Sequence, residues 1–198
     1  MNIAISQEFL DCISRVPPNV AKKARETISR FRASPQSVGL NYERINGAKD
    51  KNFRSIRMDQ DYRIILWASP EGGNHVFLWL DHHDDAYAWS RNRRVEVNPE
   101  IGALQIYQVD VTGAGRAQTS AAGKPAQGLF GPLRDRELMR LGVPEELIGA
   151  VREIRSDAEL DALEGIVPPM AFQGLFLVAA GYSYEEAVAA FERSARKS

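Results

Sequence analysis

The chain has 198 residues, of which 44% are hydrophobic and 26% charged, and its formal net charge is −1. This composition is typical of a globular protein and excludes a disordered or fibrous chain. No apolar stretch reaches the roughly 18 residues of a membrane span, no secretory signal opens the chain, and the single Cys12 excludes an internal disulfide framework. We therefore expect a cytoplasmic protein that does not bind membranes.

The first 110 residues predict a mixed α and β domain. Residues 2–5 resemble a short strand, and Ser6 is placed to begin a helix. The dipeptide Pro17-Pro18 ends that helix and begins a second one, which extends to the Ser34-Pro35 stop. Apolar residues follow helical spacing along the second helix, at Val20, Ala24, Ile28 and Phe31.

Three strand-like segments follow, at residues 52–58, 62–68 and 75–80. The short polar connections between them predict an antiparallel meander. Residues 82–94 predict a short helix, and residues 95–97 and 104–109 are candidates for further strands.

The clearest boundary is at residues 111–128, where small residues and glycine dominate as they do in linkers. Residues 129–198 predict a small helical region, because apolar residues there recur at helical spacing. Helix-start signals occur at Asp135, Ser156 and Ser183, and the last two are followed three residues later by glutamate, as in a capping box.

Three arginines lie in the first hairpin. A two-residue turn at Asp59-Gln60 would place Arg54 and Arg63 on one face of the sheet and Arg57 on the other, beside Tyr62. Two guanidinium groups on one face form a surface suited to phosphate. The alternative is that each arginine pairs with a surface carboxylate.

His83 and Tyr87 lie four residues apart after the last strand, so both could serve in proton transfer. The alternative is that the His-Asp run is solvated and Tyr87 packs in the core. Adjacent histidines lack the spacing of a helical metal site, and Gly123-Lys124 lacks the flanking residues of a phosphate-binding loop. We therefore predict no metal site and no cofactor site in this chain.

The segments 45–47, 53–57, 61–66 and 80–87, in this order, resemble the RelE/ParE toxin superfamily over about residues 1–95. This resemblance implies two N-terminal helices packed on a small antiparallel sheet. It also implies metal-independent cleavage of mRNA, with Arg54, Arg63, His83 and Tyr87 as catalytic groups, and Arg54, Arg57 and Arg63 as nucleic-acid contacts. The chain departs from the family pattern at Ile56, where a second basic residue is expected.

Residues 129–147 and 179–183 are similar to a segment of bacterial UvrD/Rep-type DNA helicases. This resemblance implies that the chain is the N-terminal accessory module of a helicase, with the motor and its ATP and Mg²⁺ sites further along the chain. The first unit would then bind nucleic acid or a regulatory protein. Two alternatives stay open: an active endoribonuclease, and an inert protein-interaction module in which the later helices cover the sheet.

Overall fold

The computed structural model describes residues 1–109 and 128–195, and its contacts divide the chain into two compact units, with the division between Arg93 and Arg94. The sequence suggests a boundary after residue 110 instead. Nearly all of the predicted linker, residues 111–127, lies outside the described residues.

The first unit contains three helices, α1 (Gln7–Arg15), α2 (Pro18–Ala33) and α3 (His83–Arg91). The Ser6 hydroxyl accepts a hydrogen bond from the Phe9 N–H at the start of α1, which is the predicted cap. Pro18 occupies the first turn of α2, where its missing N–H costs nothing.

The first unit also contains a five-stranded sheet made of β1 (Asn2–Ile5), β2 (Glu43–Arg44), β3 (Phe53–Arg57), β4 (Tyr62–Ala68) and β5 (Asn74–His82). The spatial order is β1-β5-β4-β3-β2. The meander β3-β4-β5 is antiparallel, as predicted. The short strand β2, which the sequence did not predict, also pairs antiparallel with β3, whereas β1 pairs with β5 in parallel. The expected α+β class, with two N-terminal helices packed on a sheet, is confirmed.

The core of the first unit lies between the sheet and the helices α1 and α2. Alternate residues of the strands point into it, because side chains of a strand alternate between the two faces. Ring pairs from both layers interlock there, with Phe31 edge-on to Phe77 at a centroid distance of 5.6 Å. The fully buried residues of this core include Phe9, Phe31, Leu40, Ile56, Ile64, Leu66 and Phe77.

The described residues of the second unit hold a two-stranded sheet of β6 (Arg93–Val97), which begins one residue before the division, and β7 (Leu104–Gln108), together with short helices. The helices are α4 (Asp135–Arg140), α5 (Ile148–Glu153), α6 (Asp157–Asp161), α7 (Pro169–Ala179) and α8 (Tyr184–Ala195). Tyr107 of β7 belongs to the same buried cluster as Phe130 and Leu138, so these strands pack with the helices. The predicted helices of residues 129–198 are thus observed in the described part of that segment, whereas the two strands before it, which the sequence assigned to the first domain, pack with these helices.

The capping signals of the second unit are confirmed at two positions. The Ser156 hydroxyl accepts a hydrogen bond from the Glu159 N–H, and the Ser183 hydroxyl accepts one from the Glu186 N–H. The Glu186 carboxylate in turn accepts the Ser183 N–H, which completes a capping box. Among the described helices of both units, none is long and apolar enough to cross a membrane.

Candidate functional site

The register of the β3–β4 hairpin differs by one residue from the predicted one. Arg57 lies directly opposite Arg63, and Arg54 lies opposite Leu66. The connection is longer than the predicted two-residue turn, since the backbone pair closes between the Met58 N–H and the Tyr62 carbonyl. A slip of one residue exchanges the faces of a whole strand. The prediction that Arg54 and Arg63 share a face is therefore wrong; Arg57 and Arg63 share it.

Arg57 and Arg63 are held at the same backbone oxygen. The Asp59 carbonyl accepts from Nη1 of Arg63 at 2.7 Å and from Nε of Arg57 at 3.2 Å. Nη1 of Arg63 also donates to the Tyr62 carbonyl. Each guanidinium keeps further N–H groups that can meet a ligand. Within the described chain, neither arginine forms an ion pair with a carboxylate, and the Arg57 side chain is exposed.

The Asp59 side chain fixes the turn that carries this carbonyl. Its Oδ1 accepts the N–H groups of Asp61 and Tyr62, and its Oδ2 accepts Nζ of Lys23 at 3.2 Å. Partial burial by itself raises the pKa of Asp59, but these hydrogen bonds and the Lys23 charge outweigh it, so the pKa lies below its ordinary value. The turn is thus built around an ionised carboxylate.

Asp81 lies directly opposite Arg63 on β5, where a carboxylate could neutralise the arginine. Its oxygens are engaged elsewhere, because Oδ1 accepts the His82 N–H at 2.9 Å and Oδ2 accepts Nε1 of Trp79 at 3.3 Å. Arg63 instead turns to backbone carbonyls. The cationic pair therefore remains available beside an acidic neighbour.

Helix α3 packs against part of the sheet face that carries Arg57 and Arg63. Trp89 stacks on Trp79 with ring centroids 5.1 Å apart, and it also contacts Phe53. The Tyr87 hydroxyl lies 3.2 Å from the hydroxyl of Ser55, which is on the same strand and the same face as Arg57. The sheet and α3 thus place the Tyr87 hydroxyl on the arginine face.

His83 is the first residue of α3 and lies one turn before Tyr87. The two rings meet edge to face with centroids 4.7 Å apart. Nδ1 of His83 lies 2.8 Å from Oδ1 of Asp84, and the His83 backbone N–H donates to the Asp61 carbonyl. If Nδ1 carries the proton, Nε2 presents a lone pair, which is the arrangement of a general base. The predicted proximity of His83 and Tyr87 is observed.

Arg54 lies on the other face of the sheet. Its Nη1 donates to the carbonyls of Lys51 and Phe53, and the residue sits beside Tyr42, whose pKa is raised by burial against the opposing effect of the Arg54 charge. Its strand neighbours on this face are apolar core residues. Arg54 therefore lies on the opposite face of the sheet from Arg57, Arg63 and the Tyr87 hydroxyl, which changes the set implied by the toxin resemblance.

A cavity of about 570 Å³ opens between α3 and the segment around β2. His83 and Tyr87 line it on the helix side, and Asn46 on the other. Its lining contains charges of both signs, namely Glu43, Asp84, Asp85, Arg44 and Arg91. The volume is in the range of small-molecule sites, and the mixed lining favours a polar ligand.

Two residues of this site were not identified from the sequence. Ser55 is a short polar residue in a strand, with no pattern that singles it out. Asp59 was taken only as a turn residue, although the spacing Asp59-x-Asp61 is compatible with a side chain that accepts later backbone N–H groups. Across the described ranges, no group of three or more His, Cys, Asp or Glu side chains is arranged to hold a metal ion.

Neither a protein-family model nor a curated protein matches the sequence. Among solved structures, the RelB–RelE antitoxin–toxin complex from Methanococcus jannaschii is 20% identical, with a TM-score of 0.35, over 43% of this chain and 96% of that chain. The RelE–RelB complex from Pyrococcus horikoshii OT3 is 16% identical, with a TM-score of 0.34, over 41% and 92%. The YoeB/ParE toxin from Agrobacterium tumefaciens is 16% identical, with a TM-score of 0.36, over 42% and 99%.

These neighbours are toxin and toxin–antitoxin proteins, and none of the comparisons supports a UvrD/Rep-type helicase. The predicted helicase relation is therefore wrong, and the expected motor with its ATP and Mg²⁺ sites loses its basis. The short segments behind that prediction, around Gly142 and Gly181, instead form helix ends: both glycines have a positive φ, the conformation common where a helix terminates.

Proposed function

We propose that the first unit is a metal-independent endoribonuclease of the kind implied by the toxin resemblance, with its site on the α3 face of the sheet. The observation that carries this proposal is the pair Arg57 and Arg63, which lie directly opposite each other and are anchored by one carbonyl. Paired guanidinium groups match the planar geometry of phosphate oxygens. Arg57 takes the place that the sequence-based prediction gave to Arg54.

The reaction requires an RNA 2′-hydroxyl and the adjacent phosphodiester. The 2′-oxygen attacks phosphorus, its proton passes to Nε2 of His83, and the bond from phosphorus to the 5′-oxygen breaks. The leaving oxygen takes a proton from the Tyr87 hydroxyl, so the products are a cyclic phosphate and a 5′-hydroxyl end. Arg57 and Arg63 would stabilise the charge that develops on the phosphate oxygens. Asp84 would orient the His83 ring through its contact with Nδ1.

The decisive experiment measures cleavage of ribosome-bound and free mRNA by the full chain and by Arg57→Ala, Arg63→Ala and Arg54→Ala variants. We expect each substitution on the α3 face to lower kcat/KM by about 100-fold or more, as loss of a charge-stabilising donor does. Arg54→Ala is the matched control on the opposite face and should stay within about threefold, an amount well below the loss of one donor. Equal losses in all three variants, or no cleavage by the parent chain, would reject the proposal.

A second candidate is a protein-interaction module. The observation that favours it is the edge of the sheet at β2, which is two residues long and, among the described residues, pairs with Ser55 and Arg54 of β3 alone. Such an edge can accept an added strand from a partner. A regulatory partner would then bind along β3. Charge reversal at Arg44 should weaken the binding of such a partner and should leave the chain folded.

A further inference from the structure

Helix α2 carries an excess of positive charge on its outer surface. Its sixteen residues include five cations, Lys22, Lys23, Arg25, Arg30 and Arg32, and one carboxylate, Glu26. All five cations are exposed, and the buried side of the helix is occupied by Val20, Ala24 and Phe31. The charge excess is therefore on the side that does not contact the sheet.

Not all of these cations are equally available. Lys23 is paired with Asp59, Lys22 lies 4.0 Å from Glu26, and Nη2 of Arg30 folds over Gly39, within 2.8 Å of the position that a Cβ would take. Arg25 and Arg32 have no ion pair within the described part of the chain. These two residues are the free cations of the helix.

The spacing aligns the two free arginines with Lys22, whose ammonium group lies at the long distance of 4.0 Å from Glu26. Lys22, Arg25 and Arg32 fall within about 80° of one another around a helix of 3.6 residues per turn, with Ser29 between them. From Lys22 to Arg32 this stripe extends about 15 Å along the axis at 1.5 Å per residue. One guanidinium group is enough to bind a single small anion. A linear row of cations with one hydroxyl instead matches a polyanion whose charges repeat along its length.

This stripe is on the opposite side of the sheet from the proposed cleavage site. Helix α2 packs on the face that contains Ile56, Ile64 and Leu66, whereas Arg57 and Arg63 are on the α3 face. The turn links the two surfaces, because the Asp59 carboxylate holds Lys23 of α2 while the Asp59 carbonyl holds both arginines. The two cationic surfaces are thus separate but structurally connected.

We propose that the outer face of α2, formed by Lys22, Arg25, Ser29 and Arg32, is a second binding surface for the phosphate backbone of a nucleic acid, without base recognition. This inference goes beyond the proposed function, since binding at α2 does not require that the α3 face cleave RNA. No apolar or aromatic side chain on the stripe could stack on a base, so the interaction would be electrostatic.

The test measures the affinity of the full chain for a 30-base-pair RNA duplex as a function of salt concentration. The variant R25Q/R32Q is compared with R155Q/R193Q, which removes the same net charge from exposed positions of the second unit. We expect the α2 variant to bind at least about tenfold more weakly at low salt and its log–log salt slope to fall by about 1.8, because each lost phosphate contact on a duplex lowers the slope by about 0.9. The control should retain the parent slope.

Equal weakening in the two variants would show an effect of net charge alone and would overturn the proposal, as would an unchanged slope in R25Q/R32Q. Binding of vesicles containing anionic lipid as tightly as the duplex would also overturn it. If R25Q/R32Q is less stable than the parent by thermal unfolding, the conservative R25K/R32K variant replaces it and should restore the salt slope. The double variant R57A/R63A should bind the duplex through α2 as the parent does. The α2 proposal can therefore be tested even if the chain does not cleave RNA.

Discussion

Both faces of the sheet in the first unit carry arginines, but the surroundings of these arginines differ. On the α1 and α2 face, the strands contribute a continuous apolar core, and Arg54 is tied to nearby carbonyls at its margin. On the α3 face, Trp89 of one short helix packs on Phe53 and Trp79, while Arg57 is exposed and Arg63 is half-buried. The register therefore decides whether an arginine on this sheet lies at the margin of the apolar core or on the less covered α3 face.

Substitutions at two adjacent residues of β4 should separate the two faces most strongly. Ile64 is fully buried on the helix side, so Ile64→Ala should lower the free energy of unfolding by about 2–5 kcal/mol. Arg63 points to the other face, and Arg63→Ala should cost at most about 1 kcal/mol. Urea unfolding followed by circular dichroism measures both. Similar costs at the two positions would contradict the assigned register.

Tyr87 and Ser55 allow the chemistry of the α3 face to be separated from its packing. Tyr87→Phe and Ser55→Ala remove the same 3.2 Å hydrogen bond. If Tyr87 transfers a proton, Tyr87→Phe should lower the RNA cleavage rate by about 100-fold, while Ser55→Ala should lower it by less than about tenfold. Single-turnover cleavage is the measurement, and equal rates in the two variants would show that the hydroxyl is only structural.

The turn between the two faces should contribute a smaller effect. Asp59→Ala removes the acceptor of two N–H groups and of Lys23, and should cost about 1–2 kcal/mol of unfolding free energy. Because folding lowers the pKa of Asp59, its stabilisation is present above the ordinary value of 3.8 and is lost as pH falls through the lowered value. The difference between the parent chain and Asp59→Ala, measured by urea unfolding at pH 7 and pH 2.5, should shrink in acid.

The smallest expected effect is at His75, on the helix side of β5. Its ring contacts Phe31 and Tyr42, and its Nδ1 is buried without a hydrogen-bond partner. Burial, then the charges of Arg54 and the N-terminus, lower the pKa of His75 from its ordinary value of 6.5. As the pH falls, His75 is therefore protonated in the unfolded chain before it is protonated in the folded chain. Protonation then favours the unfolded chain, so the free energy of unfolding should decline as pH falls below 6.5. His75→Phe should reduce this decline in thermal unfolding at pH 7 and pH 5.5; an unchanged profile would assign it to other groups.

Local signals in the sequence were sufficient to predict most helices and strands. The helix starts at Ser6, Ser156 and Ser183 depend on one side chain and one backbone N–H nearby, and each is observed. The strands of the meander follow from their alternating and apolar patterns. The parallel pairing of β1 with β5 joins residues more than seventy positions apart, and no local pattern specifies it.

The composition of the site was predicted only in part. His83 and Tyr87 lie on one helix, so their spacing alone brings them together. The arginine pair depends on the length of the turn, and the hydrogen bonds of Asp59 to Asp61 and Tyr62 stabilise a longer connection than the two-residue turn that was assumed. That one-residue difference exchanged Arg54 for Arg57. The placement of β6 and β7 with the helices likewise depends on long-range packing around Tyr107.

The shared attachment of Arg57 and Arg63 to a main-chain oxygen has a consequence for how such proteins diverge. A peptide carbonyl is present whatever residue occupies position 59, so a point substitution there keeps the acceptor atom even though it removes the carboxylate that stabilises the turn. Insertion or deletion of one residue in the loop would instead separate the two cations while leaving both in the aligned sequence. In related chains, loop length is therefore a better guide to whether two arginines meet at one carbonyl than the number of retained arginines.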